Sequence, residues 1–184
     1  MNTKQPIICG IVAIGPNNVI GHNGSMPWHS RQDFYHFKNK TMGFPCVFGK
    51  NTYDGLPIKP LPGRLNIVCS SSYKLESIDD VLHVPSLEQA IKQCGNTDQI
   101  FICGGGVLYK YALDKDLIDI MYVTQIQSAG LAEEVKRNPD AYTYFNYSFE
   151  YPKWMKTRID YPPRLLPTED FGTRALFYKY TRLR

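Results

Sequence analysis

The sequence predicts an α/β fold: three layers around a central, mostly parallel, twisted sheet of about eight strands, with an antiparallel hairpin at the C-terminal end. Three observations carry this. Short apolar runs recur and are continuous rather than alternating, the pattern of strands covered on both faces. Helical spacing fills the gaps between them, as crossover connections require. Past residue 139 the texture changes to aromatic residues and prolines.

The runs Ile7–Ile14, Phe44–Phe48, Leu65–Cys69, Val81–Val84, Gln99–Cys103 and Ile118–Ile126 are read as six strands. The first ends in Gly-Pro-Asn-Asn with no small-x-small cleavage site, so it is a strand and not a signal segment. Ser30–Lys40 opens on a cap-like Ser. Ser86–Cys94 sets Leu87, Ala90, Ile91 and Cys94 at helical spacing and stops at Gly95. Val107–Leu113 follows three glycines and completes the helices. Tyr142–Trp154 reads as an edge strand packed on the core. With Ala175–Thr181 it makes a hairpin whose long loop carries Tyr161-Pro162-Pro163 and Pro167.

With 184 residues, the chain is read as one domain, 1–184, since about 150 residues per domain is usual. Hydrophobic residues make up 43% and charged ones 21%, which excludes a disordered chain. No apolar run approaches the roughly 20 residues of a bilayer span. The net charge of +4 is too small for a dedicated nucleic-acid binder and suits a small anionic ligand. Five cysteines without a CxxC pair argue against a disulfide framework or a metal site, and free thiols point to the cytoplasm. His22, His29, His36 and His83 lack ligand spacing and are read as surface residues.

Ligands of such sheets collect at the carboxyl ends of strands, and four clusters lie there. Asn17–Trp28, punctuated by Gly21 and Gly24, is either a lid over a ligand or a surface turn on which Met26 and Trp28 pack down. Ser30-x-x-Asp33 has the form of a capping box, which alone would account for Asp33. Alternatively, Asp33 beside Phe34 and Phe37 offers a carboxylate and two rings to a flat heterocycle. Phe48-Gly49-Lys50-Asn51-Thr52 and Ser70-Ser71-Ser72 are each a cap or a turn, and together they suit a phosphorylated adenosine ribose. Cys103-Gly104-Gly105-Gly106 runs from a strand into a helix, either for tight packing or to present bare amides to a phosphate. Cys103 itself is read as a small core residue.

In order and spacing, Val19-Ile20-Gly21, Met26-Pro27-Trp28, Asp33 with Phe37-Lys38, Gly49-Lys50-Asn51-Thr52, Leu61-Pro62-Gly63-Arg64, Ile102–Gly106 and Tyr122-Val123-Thr124 resemble the dihydrofolate reductase family over residues 7–126. Phe177–Tyr180 resembles that family's last strand. The resemblance implies reduction of 7,8-dihydrofolate to tetrahydrofolate with NADPH, by a monomer open to antifolates and supplying a one-carbon carrier. It implies Asp33 anchoring the pterin with Thr124 bonded to the carboxylate, Trp28 holding a water, and Met26 in a Gly21–Trp28 lid. Phe34, Phe37, Leu61 and Tyr109 would line the substrate, and Arg64 would take its glutamate carboxylate. Ala13, Ile20 and Gly21 would serve the nicotinamide. Thr52, Gly104, Gly105 and Gly106 would serve the pyrophosphate, with a cis Gly104–Gly105 peptide. Lys50, Asn51, Ser70 and Ser71 would hold the 2′-phosphate end, Lys50 standing where many relatives have Arg. Burial among Phe34, Phe37 and Met26 should raise the pKa of Asp33 from about 3.9.

Two rivals differ in class. A sister reductase acting on a ribosylaminopyrimidine would not need Asp33 on an aromatic helix or Arg64 after Pro-Gly. A silent binding module would bind pterin and NADPH without turnover.

Overall fold

A computed structural model describes residues 5–79, 81–169 and 172–183, the side chains of Ile78 and Pro163 excepted. In chain order the elements are β1 (Ile7–Ile14), β2 (Val19–His22), α1 (Arg31–Thr41), β3 (Cys46–Gly49), α2 (Lys50–Asp54), β4 (Asn66–Cys69), β5 (Glu76–Ile78), β6 (Val81–Val84), α3 (Leu87–Gln93), β7 (Gln99–Ile102), α4 (Gly106–Asp114), β8 (Ile120–Ser128), α5 (Ala129–Arg137), β9 (Tyr142–Tyr144), β10 (Trp154–Ile159) and β11 (Thr173–Arg182). Nine strands form one sheet in the order β10-β11-β8-β1-β7-β3-β4-β6-β5, and β2 with β9 forms a second. The ninth member, beyond the eight expected, is β5. The contacts gather the chain into two compact units: residues up to Ile11 with Thr41–Ile120, and Val12–Lys40 with the residues from Met121 onward.

In the first unit β1, β7, β3, β4 and β6 pair in parallel and β5 closes the edge antiparallel to β6. The apolar runs are continuous because their side chains are covered on both faces: Val47, Phe48, Ile67, Val68, Ile100, Phe101 and Ile102 are all buried. Ser86 caps α3, its Oγ accepting from Gln89 N–H at 3.3 Å. Among the described residues no cysteine is in a disulfide, and Cys103 is a buried small residue as expected.

In the second unit β10 and β11 form the antiparallel hairpin, with Trp154 opposite Arg182 and Ile159 opposite Phe177. Three features differ from expectation. The segment read as one glycine-punctuated loop contains the strand β2, with Gly21 opposite Thr143 in the β2–β9 ladder. The aromatic stretch Tyr142–Trp154 is divided: Tyr142–Tyr144 is β9, and only Trp154 begins the edge strand β10. Helix α5 was not expected, although Ser128 caps it by accepting from Leu131 N–H and Leu131 and Val135 stand one turn apart on its buried side. Those two residues pack with Val19 against Trp28, Tyr142 and Tyr144.

Candidate active site

In the second unit the site is built on the first turn of α1. Asp33 is 8% exposed. Its N–H donates to Ser30 Oγ at 3.1 Å, one half of the capping box. The other half is replaced, because the Asp33 carboxylate bonds to the hydroxyl of Thr124 on β8, itself 1% exposed. Burial raises the Asp33 pKa to about 6, against the lowering effect of the Thr124 bond and with a smaller push from the charge of Glu169. The direction is the expected one. Phe34 and Met26, however, are 37% and 40% exposed, so the burial owes more to the seat of α1 on β8 than to those two side chains. Phe37 and Ile20 are half-buried, and Gly21 lies within β2.

Trp28 packs down, between the Val19–Leu131–Val135 cluster and a second one of Ile126, Ala175 and Phe177 that also takes in Ala13. Its Nε1 is buried, and among the described residues no acceptor reaches it. Trp28 is thus packed down, whereas Met26 stays 40% exposed.

His36, expected at the surface, is fully buried. Three residues after Asp33, it shares that residue's side of the helix. Its ring stacks on Phe177 at 4.6 Å between centroids, and Nδ1 lies 2.7 Å from Tyr161 Oη. Burial, aided by the charge of Lys40, lowers its pKa to about 3. The folded protein thus keeps His36 neutral where the unfolded chain binds a proton. Stability present above pH 6.5 is lost as the pH falls toward 3. A His36→Phe variant should lose less stability between pH 7 and 3, by on the order of 4 kcal/mol, as read from denaturant unfolding at each pH.

The first unit carries a glycine turn and a clamped loop. The Gly104–Gly105 peptide is cis, as the resemblance implied. Gly49 N–H donates to Gly104 O at 2.6 Å. A Cβ on Gly105 would stand 2.7 Å from Thr52 Oγ1, so only glycine fits against that hydroxyl. Gly106 opens α4, and no side chain among those described caps its first amides. Backbone donors at a helix start beside a hydroxyl suit a phosphate. Tyr109 is buried, and its hydroxyl donates to Ile11 O.

Lys50 pairs with Asp54 at 2.5 Å across one turn of α2, beside Asn51. Ser70 Oγ lies 2.9 Å from Ser72 Oγ, and Ser71 is exposed. In the Leu61–Arg64 loop, Arg64 Nη1 donates to Thr41 Oγ1 at 3.0 Å and Nε to Pro62 O at 3.1 Å. Asn66 holds this loop: its Oδ1 accepts from Leu61 N–H, and its Nδ2 donates to Leu61 O and Arg64 O, each at 2.9 Å. Sequence reasoning passed over Asn66, although a polar residue inside an apolar strand run is itself a signal.

The description of dihydrofolate reductase matches residues 7–161. The chain belongs to the dihydrofolate reductase family. It is 32% identical over 135 residues to the dihydrofolate reductase of Candida albicans, covering 68% of this chain and 70% of that one. It is 40% identical over 118 residues to the dihydrofolate reductase of Haemophilus influenzae, with 64% and 71% covered. The type 3 dihydrofolate reductase of Salmonella typhimurium is 37% identical over 122 residues, with 66% and 73% covered. A dihydrofolate reductase from Enterococcus faecalis, solved in complex with NADP(H) and RAB-propyl, shares the fold at a TM-score of 0.73 and 23% identity over 98% of both chains. Among the described residues no His, Cys, Asp and Glu cluster could hold a metal ion, and no helix is long and apolar enough to cross a membrane.

Proposed function

We propose that the chain reduces 7,8-dihydrofolate to 5,6,7,8-tetrahydrofolate at the expense of NADPH. The carrying observation is Asp33, a buried carboxylate aligned by the Thr124 hydroxyl on the first turn of α1, in a member of this family. A carboxylate so placed binds the 2-amino group and the adjacent ring nitrogen of a pterin through a paired, charge-assisted contact. NADPH, when bound, supplies the hydride; the residues orient the reactants and manage the proton. With a pKa near 6, Asp33 is mostly ionised at neutral pH. It therefore serves to bind and polarise the pterin, and the proton reaches the ring through water held at the buried Trp28 Nε1.

Phe34, Phe37 and Leu61 supply apolar surface to the substrate, Met26 belongs to the lid, and Arg64 offers its planar guanidinium to the glutamate carboxylate. Ala13, Ile20 and Gly21 present backbone to the carboxamide. Thr52 with Gly104–Gly106 cradles the pyrophosphate, where a Cβ at Gly105 would intrude. Asn51, Ser70 and Ser71 hold the 2′-phosphate end, Lys50 joining them by leaving Asp54. Tyr109 acts from beneath the turn, its hydroxyl already bonded to Ile11 O. Five cysteines, none of them in a disulfide, favour a reducing compartment, the cytoplasm, and the protein works as one monomeric catalytic domain.

The test follows the loss of reduced-nicotinamide absorbance with purified protein, NADPH and dihydrofolate. Turnover is expected. Binding of NADPH without turnover would overturn the assignment and leave the silent module, whereas turnover only with another heterocycle would favour the sister reductase.

A further inference from the structure

Residues 160–169, which leave β10, reach back to the first turn of α1. Glu169 Oε2 accepts from Ser30 Oγ at 2.6 Å, and Oε1 accepts from Arg31 N–H at 2.9 Å. Gln32 Nε2 donates to Pro167 O at 3.1 Å. Ser30 Oγ in turn accepts from Asp33 N–H. The hydrogen bonds thus run Asp33 N–H to Ser30 Oγ–H to Glu169 carboxylate, and the other end of Asp33 is held by Thr124. One turn later the same segment meets α1 again, where Tyr161 Oη lies 2.7 Å from His36 Nδ1. Glu169 lies beyond residues 7–161, the span matched to the family.

We propose that Glu169 is a positioning residue for Asp33: it fastens the N-terminal turn of α1 through Ser30 and Arg31 and so fixes where the carboxylate stands against Thr124. A carboxylate at a helix N-terminus is favourable with the backbone amides it caps. The same negative charge opposes ionisation of a second carboxylate nearby, and Glu169 acts on Asp33 in this sense. Against it acts the Thr124 hydroxyl on β8, which favours the charged form of Asp33. The proposal rests on the reductase reading for its catalytic consequence but not for the coupling itself.

Two variants separate its parts. Glu169→Gln keeps an acceptor for Arg31 N–H and removes the charge. Glu169→Ala removes both. The Asp33 titration, followed by carboxyl carbon NMR on the whole chain, should move down by on the order of half a pH unit in either variant. The pH profile of turnover should move with it. Glu169→Ala should in addition raise KM for dihydrofolate severalfold, with a smaller effect on kcat, and Glu169→Gln should largely restore KM. An Asp33 midpoint unchanged in both variants would overturn the proposal. A shifted midpoint in a protein without turnover would keep the coupling and fail only the reductase reading.

Discussion

Replacing Asp33 by Asn should reduce turnover by about 10²-fold or more and, in the same protein, raise stability at pH 7 and above. The first effect follows from removing the charge that pairs with the pterin, a contact confined to an enclosed position and therefore strong. The second follows from the proton. Burial holds the folded-state pKa of Asp33 near 6, against 3.8 for the carboxyl in the unfolded chain. A raised carboxylate pKa means that the folded state is favoured while the group is protonated. That stability is present below pH 3.8 and is lost as the pH rises through 6. Two pKa units amount to on the order of 3 kcal/mol above pH 7, the upper bound of what a neutral Asn regains. The corresponding rise in Tm is about 5–10 °C for a chain of this size. Thermal scans at pH 4 and pH 8 check this: the gain should be near zero at the lower pH and large at the higher. Equal gains at both would show that the carboxylate is not strained by its burial.

The wild-type protein has a second titration in the same helix, of opposite sign. Between pH 4 and 6 the folded state holds a proton on Asp33 that the unfolded chain lacks, and lacks one on His36 that the unfolded chain holds. The two slopes largely cancel. In the Asp33→Asn protein only the His36 slope remains, so its advantage should shrink steadily on acidification.

The second large effect belongs to the glycine turn. Gly105→Ala should weaken NADPH binding at least tenfold, a change of about 1.4 kcal/mol, while leaving the fold nearly intact. The Gly105 backbone is extended, φ −87° and ψ −156°, a conformation that alanine accepts. The obstacle is the Thr52 hydroxyl, 2.7 Å from the added methyl. Thr52 can turn away by rotating χ1, so folding survives, but the hydroxyl then leaves the position proposed for the pyrophosphate. A Gly105→Ala, Thr52→Ala double variant removes the collision without restoring the hydroxyl. It should fold like the parent and still bind NADPH weakly by fluorescence titration. Recovery of full affinity in the double variant would show that Thr52 contributes no contact.

The parallel strands and their order along the chain were legible because each is a short apolar run with a clear stop, and periodicity reads such runs directly. The short strands were not. β2 and β9 carry Gly21, His22 and Thr143 and owe their existence to pairing with each other across the sequence, which no local pattern records. α5 was readable from Ser128, Leu131 and Val135 and was passed over. At the site, Asp33, Thr124 and the glycine turn stood out through motif order. His36 was misread because its burial depends on Phe177 and Tyr161, both more than a hundred residues away. Glu169 carried no signal for the same reason: its partners Ser30 and Arg31 lie 139 and 138 residues earlier.

The two edge strands of the nine-stranded sheet bear on how the protein behaves when crowded. At one edge stands β5, only three residues long and beginning with Glu76. At the other stands β10, which places Lys156 and Arg158 at exposed positions along its length. An edge that is very short, or studded with cationic side chains, offers a poor template for a strand from another chain. Lys156 lies over the ring of Tyr178 on the neighbouring β11 at 4.0 Å, so its ammonium is held against the face of the hairpin. Substituting Lys156 and Arg158 by Val and Thr would give β10 an uncharged, β-branched border. Ribbon-like self-association, rather than loss of the reaction, is the failure this sheet is built to avoid.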